Sequence, residues 1–245
     1  MSGSVEPAAG TAALVDHLVV MATTLAEGAA WCEAMLGITP APGGAHALMG
    51  THNRLLRIGS PAFPGAYLEI VAVDPAARPE RAPPLRRWFD MDDEALRTGI
   101  AAAGPQLTHF VARVPDVQGA VAALAAQGID RGRVLEASRP APGCLLQWRI
   151  TVRDDGQRLF GGALPTLIEW GASAAALHPG ATLPDCGVAL TGLSLSHPEP
   201  HVLSAACAAV GLAGVTLAPG PAGLAATLQT PRSRVTLTSA TSQGR

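Results

Sequence analysis

Two histidines and two glutamates interrupt stretches of this sequence that otherwise read as apolar strand. His17 stands in Val15-Asp-His-Leu-Val-Val and His109 in Leu107-Thr-His-Phe-Val-Ala; Glu69 stands in Ala66-Tyr-Leu-Glu-Ile-Val-Ala-Val and Glu169 in Pro165-Thr-Leu-Ile-Glu-Trp. A glutamate buried in such a strand, charged and without a partner, costs several kcal/mol. One compensation is a divalent cation held by two imidazoles and two carboxylates, a donor set that suits zinc, nickel, cobalt, manganese or iron. The four residues are far apart in the chain, so such a centre forms only if two modules face each other.

The elements that would bring them together are legible as a repeat. Leu25 to Ile38 follows the His17 segment, Val117 to Ile129 follows the His109 segment, and Val202 to Leu212 follows Leu190-Thr-Gly-Leu-Ser-Leu. Each copy reads as a strand, a short polar break and an Ala-rich helix. Period-2 alternation puts Val15, His17 and Val19 on one strand face, and Leu107, His109 and Val111 on the equivalent one. Apolar residues at helical spacing stop before Gly37, Gly128 and Gly211. Further strands are expected at Asn53 to Ile58 and Ala66 to Val73, at Leu145 to Val152 and Pro165 to Trp170, and at Ala225 to Gln229 and Arg234 to Thr238.

The reading is a βαβββ module over residues 12–76, a second over 105–172 and a shortened third over 188–240. Between the first two, 77–104 reads as a Pro-rich linker with a surface role and a short helix around Asp93 to Ala103. Met1 to Thr11 and Ser239 to Arg245 read as frayed tails.

Composition bounds the function classes. With 245 residues, 48% of them hydrophobic, the chain has ample material for a core. A net charge of −2 and dispersed arginines give no basic footprint for nucleic acid. No apolar run reaches a membrane span and the N-terminus lacks a signal-peptide pattern, so no membrane is expected and the cytoplasm is the expected compartment. Cys32, Cys144, Cys186 and Cys207 form no CxxC pair, which points to reduced, mostly buried thiols.

The Asp-His-Leu-Val-Val opening at residues 16–20, the Tyr-Leu-Glu of residues 67–69 and the repeated unit resemble the vicinal-oxygen-chelate superfamily. Gly50-Thr-His-Asn-Arg-Leu-Leu-Arg-Ile-Gly before Tyr67-Leu-Glu, with Leu164-Pro-Thr-Leu-Ile-Glu-Trp-Gly later, resembles its bacterial glyoxalase-like domain proteins. The resemblance spans roughly residues 14 to 240. It implies an α+β fold in which tandem βαβββ modules form a curved mixed-sheet cup, with a third, partial module. It also implies that His17, Glu69, His109 and Glu169 are metal ligands, with Glu69 or Glu169 free to act as general base. In copy three, Gly192 stands where the His would be and no Glu follows, so that copy supplies no second centre.

The implied activity is a metal-dependent lyase or isomerase acting on a small substrate that chelates through neighbouring oxygens. Two rivals stay open: a metal-free protein that sequesters a small molecule, and an Fe(II) ring-cleaving dioxygenase, against which the extra Glu counts. A homodimer is left open. Thr51, Asn53, His52 and Trp148 are the expected substrate contacts, with His46 beside them, and Phe160 and Trp170 are candidates to line an apolar pocket. The bland alternatives are core histidines, an ordinary edge strand and core aromatics. His178, His197 and His201, beside prolines, read as solvated.

Overall fold

The computed structural model describes residues 12–141, 144–172 and 177–239; the expected tails, apart from Ser239, lie outside the described residues. The first part of the chain gives β1 (Leu14–Met21), α1 (Leu25–Leu36), β2 (Ala41–His46), β3 (Thr51–Arg57) and β4 (Tyr67–Val73). After α2 (Glu94–Ala103) come β5 (Gln106–Arg113), α3 (Val117–Ala125), β6 (Arg133–Ala141), β7 (Cys144–Val152) and β8 (Thr166–Trp170). The short α4 (Pro179–Thr182) leads to β9 (Ala189–His197), α5 (Pro200–Ala209), β10 (Thr216–Pro219), β11 (Gly223–Gln229) and β12 (Arg234–Thr238).

Strands β1 to β8 form one mixed sheet in the order β2-β3-β4-β1-β5-β8-β7-β6. Each half repeats the other about the antiparallel β1–β5 seam, with β4 parallel to β1 and β8 parallel to β5. The sheet curls into a half-barrel, an α+β architecture. Leu18, Val20, Leu68 and Ile70 pack from its convex face against Cys32 and Leu36 of α1, in a core that also takes in Leu193 and Leu224 of the second sheet.

Helix α1 starts where the Thr24 side chain accepts from the Glu27 amide and ends at Gly37, whose φ of 75° is left-handed. Inside it, Gly28 lies against β4: a Cβ there would fall 2.4 Å from Cγ2 of Ile70, which is fully buried. Gly28→Ala should therefore destabilise the fold by about 1–2 kcal/mol, the overpacking cost outweighing the better helix propensity of alanine. A urea midpoint shifted down at constant slope checks it.

Three sequence expectations need correction. Residues 77–104 are not a surface linker: Trp88, Phe89 and Met91 are buried against Val19, Val111, Trp148 and Ile168, filling much of the concave face. Left-handed backbone at Phe89 and Asp90 makes the turn, and Arg158 Nε anchors it by donating to Asp90 Oδ2 at 2.9 Å. Strict alternation also fails along β1, whose pairing with β5 shifts register between Val15 and His17 and again between Val19 and Val20. Val15 and Leu107 consequently join the convex-side core while Val19 and Val111 join the concave cluster.

The third correction concerns copy three, which forms its own sheet in the order β10-β9-β11-β12. Its first strand pairs in parallel with the strand that directly follows its helix, rather than with its last strand as in copies one and two. The strand Thr216–Pro219 was not read from sequence, nor were Ala41–His46 and Arg133–Ala141. Pro42, Gly43 and Gly44 in one and Pro140 in another break the apolar alternation that marks a strand.

Candidate functional site

The β1 bulge puts Asp16 beside its neighbour His17 inside the cup. Asp16 is fully buried and accepts three hydrogen bonds: from His17 Nδ1 at 2.7 Å, Trp170 Nε1 at 2.9 Å and His178 Nε2 at 2.9 Å. Burial alone would push its pKa up, but the hydrogen bonds from His17 and His178 outweigh that and hold it well below the usual carboxylate range. His178 is thus not a solvated loop residue. Its Nδ1 accepts from the Gly180 amide at 3.0 Å, which leaves Nε2 as the donor to Asp16.

Because an ionised carboxylate only accepts, His17 carries a proton on Nδ1, which leaves Nε2 facing the cup. Its ring stacks on Tyr67, its partner across the parallel β1–β4 pair, with centroids 4.6 Å apart. Two residues along β4, Glu69 points Oε2 at His17 Nε2 from 3.6 Å. That is too far for a hydrogen bond.

Glu69 is held from the other side. Asn53 Nδ2 donates to Glu69 Oε1 at 2.5 Å, while Asn53 Oδ1 accepts from the Gly44 amide at 2.8 Å. His46 Nε2 lies 3.8 Å from Glu69 Oε1, and its Nδ1 is 3.0 Å from Thr51 Oγ1. Asn53 fits beneath β2 only because Gly43 has no side chain: a Cβ there would sit 1.9 Å from Asn53 Oδ1.

His17, His46, Asn53 and Glu69 line an inner cavity of about 40 Å³ together with Tyr67, Trp88, Phe89, Arg139, Trp148 and Trp170. A larger outer cavity of about 460 Å³ shares His46, Trp88 and Trp148 with it. The indole N–H of Trp88 is buried without a partner among the described residues.

Of the four residues expected as a metal centre, the structure brings His17 and Glu69 together and leaves the other two apart. His109 is fully buried under Phe89, ring centroids 5.3 Å apart. Its Nε2 accepts from the Thr166 amide at 3.1 Å, so Nδ1 is the protonated nitrogen and donates to the Gly162 carbonyl at 3.0 Å. No lone pair is left for a cation. Glu169 borders only the outer cavity; one oxygen pairs with Arg149 and the other accepts from the Val117 amide at 2.8 Å, at the start of α3. The four residues therefore do not fit a shared metal, and among the described residues no three His, Cys, Asp or Glu side chains group as a ligand set.

The expected substrate contacts divide likewise. Thr51 and Asn53 stand in the His46–Glu69 network and Trp148 borders both cavities, but His52 faces away, 3.9 Å from Asp74. Trp170 lines the inner cavity, whereas Phe160 packs on His197. Asp16, Tyr67, Trp88 and Arg139 were not singled out from sequence. The acid directly before His17 was a visible signal for the first of them, and the Trp88-Phe89 pair in a Pro-rich stretch was one for burial there.

Burial, with the nearby charges of Arg131 and Arg158, pushes the His109 pKa well below that of an ordinary histidine against the opposing Gly162 hydrogen bond. Burial lowers His46 too, partly offset by Glu69. Below pH ~6.5 the unfolded chain takes up protons that these two folded histidines refuse, so stability is present above that pH and falls as pH drops. The loss should reach up to about 1.4 kcal/mol per pH unit for each histidine. Denaturation between pH 7.5 and 5 should show that fall, and His109→Gln should remove one proton's worth of the slope.

A family model described as a glyoxalase-like domain matches residues 15–211. Among solved structures, a hypothetical protein from Staphylococcus aureus is similar at 11% identity, over 92% of this chain and 84% of that one, with a TM-score of 0.54. Methylmalonyl-CoA epimerase from Mycobacterium tuberculosis aligns at 16% identity over 70% of this chain and 97% of its own, with a TM-score of 0.40. A methylmalonyl-CoA epimerase in complex with methylmalonyl-CoA and NH4+ aligns at 18% over 66% and 97%, also at 0.40. No curated protein matches the chain. No helix among the described residues is long and apolar enough to cross a membrane.

Proposed function

We propose that this chain, which belongs to the glyoxalase-like domain family, binds a small oxygenated molecule in its cup and moves a proton on it, as an isomerase or a lyase does. The observation that carries this reading is the facing pair of His17 Nε2 and Glu69 Oε2, 3.6 Å apart. Glu69 is the proposed base: Asn53 donates to Oε1, and Oε2 faces His17. His17, its other nitrogen fixed by Asp16, is the partner that returns or shares the proton. The aromatic walls exclude water, which strengthens both interactions.

This departs from the four-ligand chemistry expected from sequence, because His109 and Glu169 are committed elsewhere. The proton-transfer step uses the chain's own residues.

Incubation in D2O with a panel of small vicinal-oxygen compounds, 2-oxo acids, 2-hydroxy ketones and 1,2-diketones, tests it. Enzyme-dependent deuterium incorporation beside a carbonyl is the expected result. Compounds that bind, seen by quenching of the cup tryptophans, yet never exchange would overturn proton transfer and leave a sequestering protein.

A further inference from the structure

Arg139, on β6, reaches the inner cavity from the opposite half of the cup to Glu69. The other arginine bordering these cavities is spoken for: Arg149, on the outer one, pairs with Glu169. Arg139 makes no ion pair and no side-chain hydrogen bond among the described residues. Its Nη1 instead lies beside Gly44, 3.0 Å from where a Cβ at that position would stand. Gly44 is the residue whose amide holds Asn53, and Asn53 in turn holds Glu69. The register shift between Pro42 and Ala45 in the β2–β3 pairing falls at this glycine pair. One bulge without side chains therefore seats both the positioning amide of Glu69 and an unpaired guanidinium.

A cation lining a small, aromatic-walled cavity without a counterion is a receptor for an anion. Glu69 does not serve as that counterion, since it lies within ion-pair reach only of His17 and His46 and is bonded by Asn53. The planar fork of a guanidinium matches a carboxylate through two parallel N–H···O bonds, and a cavity of about 40 Å³ suits so small a head group.

We infer that Arg139 anchors a carboxylate on the molecule this cup binds, placing the proton-bearing carbon, C2 of a 2-hydroxy acid or C3 of a 2-oxo acid, between Glu69 and His17. The substrate class is then a small carboxylic acid with an oxygen on the adjacent carbon, such as a 2-oxo or 2-hydroxy acid, its remaining substituent lying toward the outer cavity between Trp88 and Trp148. This rests on the proton-transfer reading for the choice of reacting carbon, but the carboxylate site stands or falls by binding alone.

The test is a fluorescence titration of the cup tryptophans with pyruvate and with methyl pyruvate, which keeps the two neighbouring oxygens but replaces the carboxylate with a neutral ester. Wild type should bind pyruvate about ten- to a hundred-fold more tightly than the ester, the range of a charge-assisted hydrogen-bonded pair. Arg139→Met should remove that preference while leaving ester binding unchanged. If Arg139→Met does not fold, Arg139→Lys is the variant to read, and losing the fork should reduce the preference by about ten-fold. Equal binding of the two probes to wild type, or an undiminished preference in the variant, would overturn the assignment. Preferential pyruvate binding with no deuterium exchange in any compound would uphold it and sink the proton-transfer reading instead.

Discussion

Replacing Asp16 with alanine should cost the fold about 3–5 kcal/mol, lowering the melting temperature by roughly 6–20 °C. The carboxylate is fully buried and is the common acceptor for His17, Trp170 and His178. Its removal leaves three donors without a partner, His17 buried and Trp170 and His178 partly buried, and each unsatisfied buried group costs about 1–3 kcal/mol before any relaxation. Arg113, 3.9 Å away, loses its counter-charge as well. Asp16→Asn should be milder, since the amide keeps one acceptor oxygen, but its NH2 then faces a donor. Both variants should also lose the His17 orientation, so residual ligand binding should weaken even in whatever fraction folds. Thermal denaturation of the purified variants measures the effect. A loss below about 1 kcal/mol would show that water reaches these donors and that Asp16 is not the hub that burial and hydrogen bonding make it.

Glu69→Gln should leave the fold intact and lower turnover by about 10²- to 10⁴-fold, the span associated with a positioned general base. The substitution is nearly isosteric. The new Oε1 still accepts from Asn53, and the amide NH2 can donate across the present 3.6 Å gap to His17 Nε2. Stability should therefore hold while the proton acceptor is gone. That combination separates a base from a structural carboxylate, whose loss would lower the melting temperature along with activity. The deuterium-exchange assay on folded variant protein is the measurement. Turnover within about ten-fold of wild type would pass the role of base to His17.

The fold and the site differ in how much of each could be seen before folding. Helices that stop shortly before Gly37, Gly128 and Gly211, all left-handed in the structure, and strands carrying Glu69 and Glu169 were legible because stop signals and alternation are local. Pairing β1 with β4 and β5 with β8 was not, since register belongs to two strands and copy three uses a different one. The alternation argument misplaced Val15 and Leu107 because a bulge leaves no periodic mark.

His17 and Glu69 stood out from sequence for a sound reason: an imidazole and a carboxylate inside apolar strands require partners. Which partners they acquire was a tertiary question. Asp16 supplies the one for His17 and Asn53 the one for Glu69, while equivalent positions in the second copy found a carbonyl, a backbone amide and an arginine. The sequence by itself determined that four polar groups would be placed on these strands in two equivalent pairs. Only the packed structure decided that one pair opens into a cavity and the other is absorbed into the scaffold, because Phe89, from a segment that the sequence marks as a linker, lies over His109 and leaves His17 facing Glu69.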